Sequence, residues 1–207
     1  MTSYGNYAAA PSFYKSLRLV AQEEGIPFIV NETKTGTGQT GKMWGHEHWY
    51  LQDRDGGAPD LVTFGGKAGI SGYFSTLDFR EGGSADQTVD MVKLLNFGVT
   101  WREIQDRELL KLVWDTSTFL KIELNNIARD TGVISDVRGN GTFLGFDLSD
   151  PSHADSMHRW LLKRGIVTAR AGPATLGLRP ALILGPSHAA HLREAVRSFH
   201  PNHAYND

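Results

Sequence analysis

Residues 28–51 read FIVNETKTGTGQTGKMWGHEHWYL. Within this stretch Gly36, Gly38 and Gly41 fit G-x-G-x-x-G, the dinucleotide fingerprint. Gly36, Gly41 and Lys42 fit most of G-x-x-x-x-G-K, the phosphate-binding loop. The apolar run Ile26-Pro27-Phe28-Ile29-Val30 precedes both and suits a strand. A phosphate loop also requires Ser or Thr after its lysine, and a helix whose N-terminus faces the phosphates. Position 43 is Met, and Trp44-Gly45-His46-Glu47-His48-Trp49 does not open an amphipathic helix. The dinucleotide site fails similarly, because several polar residues separate the strand from the first glycine. On residue pattern alone this is a Gly-rich surface loop. His46 and His48 stand two apart and do not complete a zinc-binding H-E-x-x-H, so packing or solvated roles are expected. His188 and His191, spaced i, i+3, read as a helix face with no carboxylate partner nearby.

Outward from this stretch, periodicity predicts a helix over 11–24, opened by Pro11 and stopped by Gly25. Apolar strands buried on both faces are expected at 26–30 and 60–64, and a third strand at 72–75. Residues 81–86 are expected to be loop. A helical pattern runs from about Trp101 to Arg129. Beyond Gly132, runs at 133–138 and 142–147 flank Gly139-Asn140-Gly141 and predict a tight hairpin. A helix at 152–164, short strands near 166–169 and 178–184, and a last helix at 187–199 follow. Residues 1–80 thus read as α/β with parallel strands, and 132–207 as a small α+β unit.

The 207 residues suit one large domain or two small ones. A net charge of −2 gives no electrostatic case for nucleic acid or an anionic membrane surface. No apolar run approaches the ~20 residues that span a bilayer. The opening MTSYGNYAAAPS lacks the basic and apolar regions of a signal peptide. With no Arg or Lys before Lys15, it is also a poor transit peptide. The absence of cysteine excludes disulfides, Cys-ligated zinc and thiol nucleophiles.

The strings FIVNETKTGTGQTGKMWGHEHWYL and APDLVTFGGKAGISGYF closely resemble the class III pyridoxal-phosphate aminotransferases, above all the eukaryotic 4-aminobutyrate (GABA) aminotransferases. Val137-Arg138-Gly139-Asn140-Gly141-Thr142-Phe143 is similar to that family's VRGRGTF. Leu178-Arg179-Pro180-Ala181-Leu182, followed by His188-Ala189-Ala190-His191-Leu192, is similar to its FRPTL and HHAHL. The resemblance implies a partial fold-type I architecture, the end of a large α/β domain followed by a small C-terminal α+β domain. Residues 1–100 would be the later part of the cofactor-binding domain, 101–131 a bridging helix, and 132–207 the small domain. The earlier half of the family's large domain, which grips the cofactor phosphate, has no counterpart in these residues.

Transamination requires a lysine amine, a carboxylate facing the pyridine nitrogen, a donor to the ring oxygen, and basic groups for phosphate and carboxylates. The resemblance places Asn31 where the family has the carboxylate, and Lys34 where it has the glutamine that faces the ring oxygen. It places Gly66 where the family has the Schiff-base lysine, with Lys67 one position on. Gly177 falls at the substrate-carboxylate arginine, and only the second arginine of that segment survives, as Arg179. Thr88, in Gln87-Thr88, is what remains of the segment that reaches the partner subunit's phosphate. Asn31 is expected as a buried amide, Lys34 as an exposed loop charge, and Lys67 as a solvated or salt-bridged lysine. The expectation is therefore a non-catalytic relative, a structural or interaction subunit that needs no cofactor by itself. An active 4-aminobutyrate:2-oxoglutarate aminotransferase with pyridoxal 5'-phosphate on Lys67, completed by a missing half, is the alternative. A cut-open sheet implies a protein partner, a second copy or a larger assembly. The resemblance points to mitochondrion or cytoplasm, leaning to the former.

Overall fold

Pro11 opens α1 (Pro11–Glu23), where its fixed φ suits the first helical position and its missing N–H leaves nothing unpaired. The computed structural model describes residues 6–52, 54, 56–76 and 90–200. Helix α1 turns Ala21 onto Phe28, Val30 and Val62, and leaves Phe13, Leu17 and Val20 exposed. Arg18 anchors it. The guanidinium grips Asp60 bidentately at 2.7 and 2.9 Å, while its Nε donates to the Gly56 carbonyl at 2.8 Å. Asp60 also accepts from the Phe28 N–H at 2.8 Å, so one carboxylate ties α1 to the starts of two strands. Burial would raise the Asp60 carboxyl, but the Phe28 N–H and Arg18 outweigh it and hold it below the usual aspartate value.

Strand β1 (Ile29–Glu32) pairs in parallel with β2 (Leu61–Phe64), which pairs antiparallel with β3 (Gly72–Ser75). The strand order is β1-β2-β3. The expectation of parallel strands therefore holds for the first pair only. Residues 65–71 are too short a link for a parallel crossover, which requires roughly a dozen residues. The expectation of burial on both faces is also corrected. Val30 and Glu32 point inward, while Ile29, 60% exposed, and Asn31 point outward. On that second face Ile29 and Asn31 are exposed, while their partners Leu61 and Thr63 on β2 are half-buried.

Helix α2 (Met91–Asp106) starts where Asp90 accepts hydrogen bonds from Val92 N–H and Lys93 N–H, both at 3.1 Å. Helix α3 (Leu109–Thr131) follows after a break at Glu108, whose φ of 48° is left-handed. The helical stretch read as one run from 101 to 129 is thus two helices and begins earlier. The expected loop at 81–86 lies outside the described residues.

The chain divides into two compact units, Ala9–Leu110 and Met1–Ala8 with Lys111–Asp207. In the second, β4 (Ile134–Asn140) and β5 (Phe143–Leu148) form the hairpin. Asn140 pairs with Phe143, so the turn falls on Gly141-Thr142, one residue past the expected Asn-Gly. After α4 (Ala154–Lys163) come β6 (Ala169–Arg170), β7 (Thr175–Leu178) and α5 (Pro186–Arg197). The sheet is antiparallel in the order β4-β5-β7-β6. The strand expected at 178–184 ends at Leu178, because Pro180 has no N–H for a ladder. Leu120, Leu124, Phe146, Met157, Leu176 and Leu192 are among the residues that build the core between sheet and helices.

Arg138 organises one end of this unit. It donates to the Asp136 carbonyl at 2.7 Å, to Asp147 Oδ1 at 2.8 Å and to Thr175 Oγ1 at 3.1 Å, and it lies 4.1 Å from the Tyr7 ring. Asn6 Nδ2 donates to the Leu144 carbonyl, so the segment before α1 is held on this sheet. Among the described residues no helix is long and apolar enough to cross a membrane.

Candidate functional site

The carboxyl ends of parallel strands are where open α/β sheets place ligands, and β1 and β2 end side by side. Asn31 pairs in register with Thr63. Its side chain is exposed, not buried as expected, because it alternates with the inward-facing Val30 and Glu32. Its Oδ1 accepts from the Thr33 N–H at 3.0 Å and the Thr33 hydroxyl at 2.7 Å, closing a local turn at the strand end. Lys34 is exposed in the following turn, as expected.

The next inward residue, Glu32, was not singled out by the sequence, yet the Gly-rich loop is built around it. Its carboxylate is 1% exposed and accepts from the Thr35 hydroxyl, from His46 N–H at 2.7 Å and from His46 Nδ1 at 2.9 Å. Burial would raise this carboxyl, but the hydrogen bonds from His46 and Thr35 outweigh it and hold it below the usual glutamate value. Gly36 is small because the loop closes tightly. A Cβ there would lie 2.8 Å from the Trp44 ring and 2.9 Å from the Glu32 carbonyl. Gly36 to Thr40 are all buried, which corrects the surface-loop expectation.

This geometry also disposes of a phosphate cradle. Gly36, Gly38 and Gly41 donate their N–H groups to Glu32, Met43 and Gly38 carbonyls at 2.9, 3.2 and 3.0 Å. Lys42 donates to the Glu47 carbonyl at 3.1 Å and sits 4.2 Å from the Tyr50 ring. The donors that would meet phosphate are turned onto the loop itself. His46 and His48 have packing roles, with His48 Nε2 3.1 Å from the Thr40 carbonyl. Among the described residues no cluster of three metal-ligating side chains occurs.

Gly66 opens a 3₁₀ turn, Gly66–Ala68, directly after β2. Its φ is +61°, and a Cβ there would lie 2.6 Å from the Thr33 carbonyl oxygen. A backbone atom thus occupies the space a side chain would need. Lys67 is the next residue of that turn, not of a strand, so its direction differs from that of position 66 by about a third of a revolution rather than a half. It is half-buried, and desolvation lowers its ammonium below the usual lysine value.

In the second unit Gly177 lies within β7. A Cβ there would meet its nearest neighbour, the Ala169 carbonyl, at an ordinary 3.6 Å. Arg179, just past the strand, places its guanidinium 4.5 Å from the Phe143 ring. Thr88 lies outside the described residues.

The family model for class III aminotransferases matches residues 2–200. The chain belongs to that family. A 4-aminobutyrate aminotransferase from Dictyostelium discoideum is 36% identical over 189 residues, covering 89% of this chain and 37% of that protein. The mitochondrial 4-aminobutyrate aminotransferase of Homo sapiens is 31% identical over 196 residues, again covering 89% and 37%. The chain therefore spans well under half the length of these relatives. Among solved structures, lysine aminotransferase from M. tuberculosis in its internal aldimine form superposes with a TM-score of 0.83 at 23% identity. That match covers 96% of this chain and 47% of that one, and it shows the shared fold, part of a fold-type I aminotransferase.

Class III aminotransferases use pyridoxal phosphate, so the residues here can be tested against it. Asn31 carries no charge to hold a pyridinium, and its acceptor oxygen is engaged by Thr33. Gly66 offers no amine and no room for one. These positions do not fit the group in the way the family resemblance implies.

Proposed function

We propose that this chain is a non-catalytic, GABA-aminotransferase-like structural or interaction subunit that works without pyridoxal phosphate of its own. The observation that carries this reading is Gly66, whose left-handed backbone and 2.6 Å approach to the Thr33 carbonyl leave no place for a lysine. Asn31 and Gly177 support it. Residues 1–100 are assigned to the end of the large domain, 101–131 to the bridge and 132–207 to the small domain. Purified protein mixed with pyridoxal phosphate and treated with borohydride is expected to yield no lysine adduct by peptide mass spectrometry. An adduct on Lys67 would overturn the reading.

One observation favours a second reading. Lys67 is half-buried with a lowered ammonium pKa, the condition under which a lysine becomes a nucleophile. On that reading the chain is part of a 4-aminobutyrate:2-oxoglutarate aminotransferase, with Lys67 as its base, Asn31, Lys34 and Thr88 near the cofactor, and Arg179 toward substrate. The same borohydride experiment separates the two.

The subunit reading requires a partner, and the first unit has surface for one. Phe13, Leu17 and Val20 form an exposed apolar stripe on α1, and Met91, Val92 and Leu95 another on α2. The outer edge of β1 has no strand beside it among the described residues. Such faces and edges associate. Size-exclusion chromatography at low micromolar concentration is expected to show a dimer or larger species; a monomer would contradict the partner. Neither nucleic acid nor a membrane belongs to this proposal. Mitochondrion or cytoplasm is the proposed location, the former favoured by the human and mouse relatives named as mitochondrial.

A further inference from the structure

The sheet of the second unit turns Leu144, Phe146, Leu176 and Leu178 into its core. Alternation therefore points Gly145, Asp147, Thr175 and Gly177 to the opposite face, where Gly145 pairs with Gly177 and Asp147 with Thr175. Arg138 stands on that same face, because it pairs with Gly145 and donates to Asp147 and Thr175. The two facing glycines leave a strip beside it that carries no side chains. The segment before α1 belongs to this unit as far as Ala8, and it is laid onto that strip.

Asn6 makes the central contact. It is 1% exposed, its Nδ2 donates to the Leu144 carbonyl, and that nitrogen would lie 3.8 Å from a Cβ at 177. Tyr7 is clamped next to it, with its ring 4.1 Å from the Arg138 guanidinium and its hydroxyl donating to Asp136 Oδ2 at 3.2 Å. Both partners of Tyr7 come from the irregular part of β4, where the register shifts between Ser135 and Arg138 and Asp136 has a left-handed φ of 46°. The hold is balanced rather than permanent. Asn6 is itself left-handed at φ 60°, and its Oδ1 is buried without a hydrogen-bond partner. Both features oppose docking. Tyr7 is half exposed, so water competes with its contacts.

We infer that Asn6 and Tyr7 form a releasable strap that closes the outer face of this sheet over Gly177. Any side chain, ligand or partner that is to reach Gly177 from that face must first displace the Asn6 amide. The missing side chain at 177 is what lets the amide lie so close. The place where the family resemblance puts a substrate-carboxylate arginine is then not merely vacated but taken by the chain itself. The strap rests on contacts within the second unit alone, so it stands or falls independently of whether the chain binds pyridoxal phosphate.

Chymotrypsin cuts between Tyr7 and Ala8 only when the segment leaves the sheet, so the rate of that cut in the full chain, followed by mass spectrometry, reads the released fraction. The parent is expected to be cut there roughly tenfold or more slowly than a free peptide of residues 1–12. Equal rates overturn the strap. Asn6→Ala is expected to speed the cut about tenfold, the scale of one lost buried hydrogen bond, and Gly177→Arg to do the same by displacing the amide. Gly177→Ala should change the rate by about twofold at most, because a Cβ alone fits. In the double variant Asn6→Ala with Gly177→Arg, the second substitution should add nothing to the first. An unchanged rate in Gly177→Arg, or additive effects in the double variant, overturns the placement of Asn6 over Gly177. Circular dichroism checks the fold; if Gly177→Arg does not fold, Asn6→Ala carries the test, and an unchanged rate there overturns the strap.

Discussion

Glu32→Ala is expected to destabilise the first unit by about 2–5 kcal/mol, the scale for truncating a buried side chain and leaving its hydrogen-bond donors unpaired. The carboxylate is 1% exposed and receives hydrogen bonds from the Thr35 hydroxyl, the His46 N–H and the His46 ring. Its removal leaves those donors facing a void in the middle of the loop. The loss should be read from urea unfolding, and it should appear as early exposure of Trp44 and Trp49 fluorescence, because the Trp44 ring closes on Gly36 and the Trp49 ring lies 6.1 Å from that of His46. Glu32→Gln keeps the shape and at least one acceptor, so a smaller loss of about 1–3 kcal/mol is expected.

The same carboxylate sets an acid dependence. Its folded pKa lies below the usual glutamate value, so it binds protons less readily folded than unfolded. The stability it contributes is complete above the unfolded value of about 4.3 and disappears as pH falls through the lower folded value. Glu32→Gln should therefore flatten the acid limb of the stability profile in that window. An unchanged acid limb would show that other carboxylates, Asp60 foremost, set it.

The elements were legible where a local signal and a tertiary one agreed. Pro11 and Gly25 bracket α1, and the third strand falls at 72–75 as its composition suggests. Legibility failed where a non-local partner decided the outcome. The apolar run before the loop looks buried on both faces, but burial depends on neighbours that no single strand encodes, and Ile29 and Asn31 face outward. Glycines at 36, 38 and 41 look like a phosphate cradle because spacing records where backbone N–H groups can be close, not where they point. Here they point to carbonyls of the strand end and the loop itself. Glu32 carried a usable signal, since it is preserved within the string that resembles the family, but its role appears only once His46 folds back over it.

The second large effect concerns Gly66. Two glycines stand where the family resemblance calls for basic residues, and they are physically unlike. At Gly177 the nearest neighbour of a would-be Cβ is 3.6 Å away, an ordinary contact, so a Cβ fits there without moving the backbone. At Gly66 the φ of +61° and the Thr33 carbonyl at 2.6 Å both oppose one. A non-glycine residue in a left-handed conformation costs about 1–3 kcal/mol before any clash. Because Thr33 also donates to Asn31, moving its carbonyl disturbs the end of β1 as well. Gly66→Lys is therefore expected to lower the urea midpoint of the first unit by at least the amount that Gly66→Ala does, and to form no borohydride-fixed adduct with pyridoxal phosphate. The alanine variant isolates the backbone, since it adds the Cβ and nothing else. If Gly66→Lys were as stable as the parent and captured the cofactor, the substitution at 66 would be a reversible change of side chain on an intact reaction centre. If both variants are destabilised alike and neither is labelled, the backbone itself has closed over the place where the lysine would stand, and putting the residue back cannot recover the site.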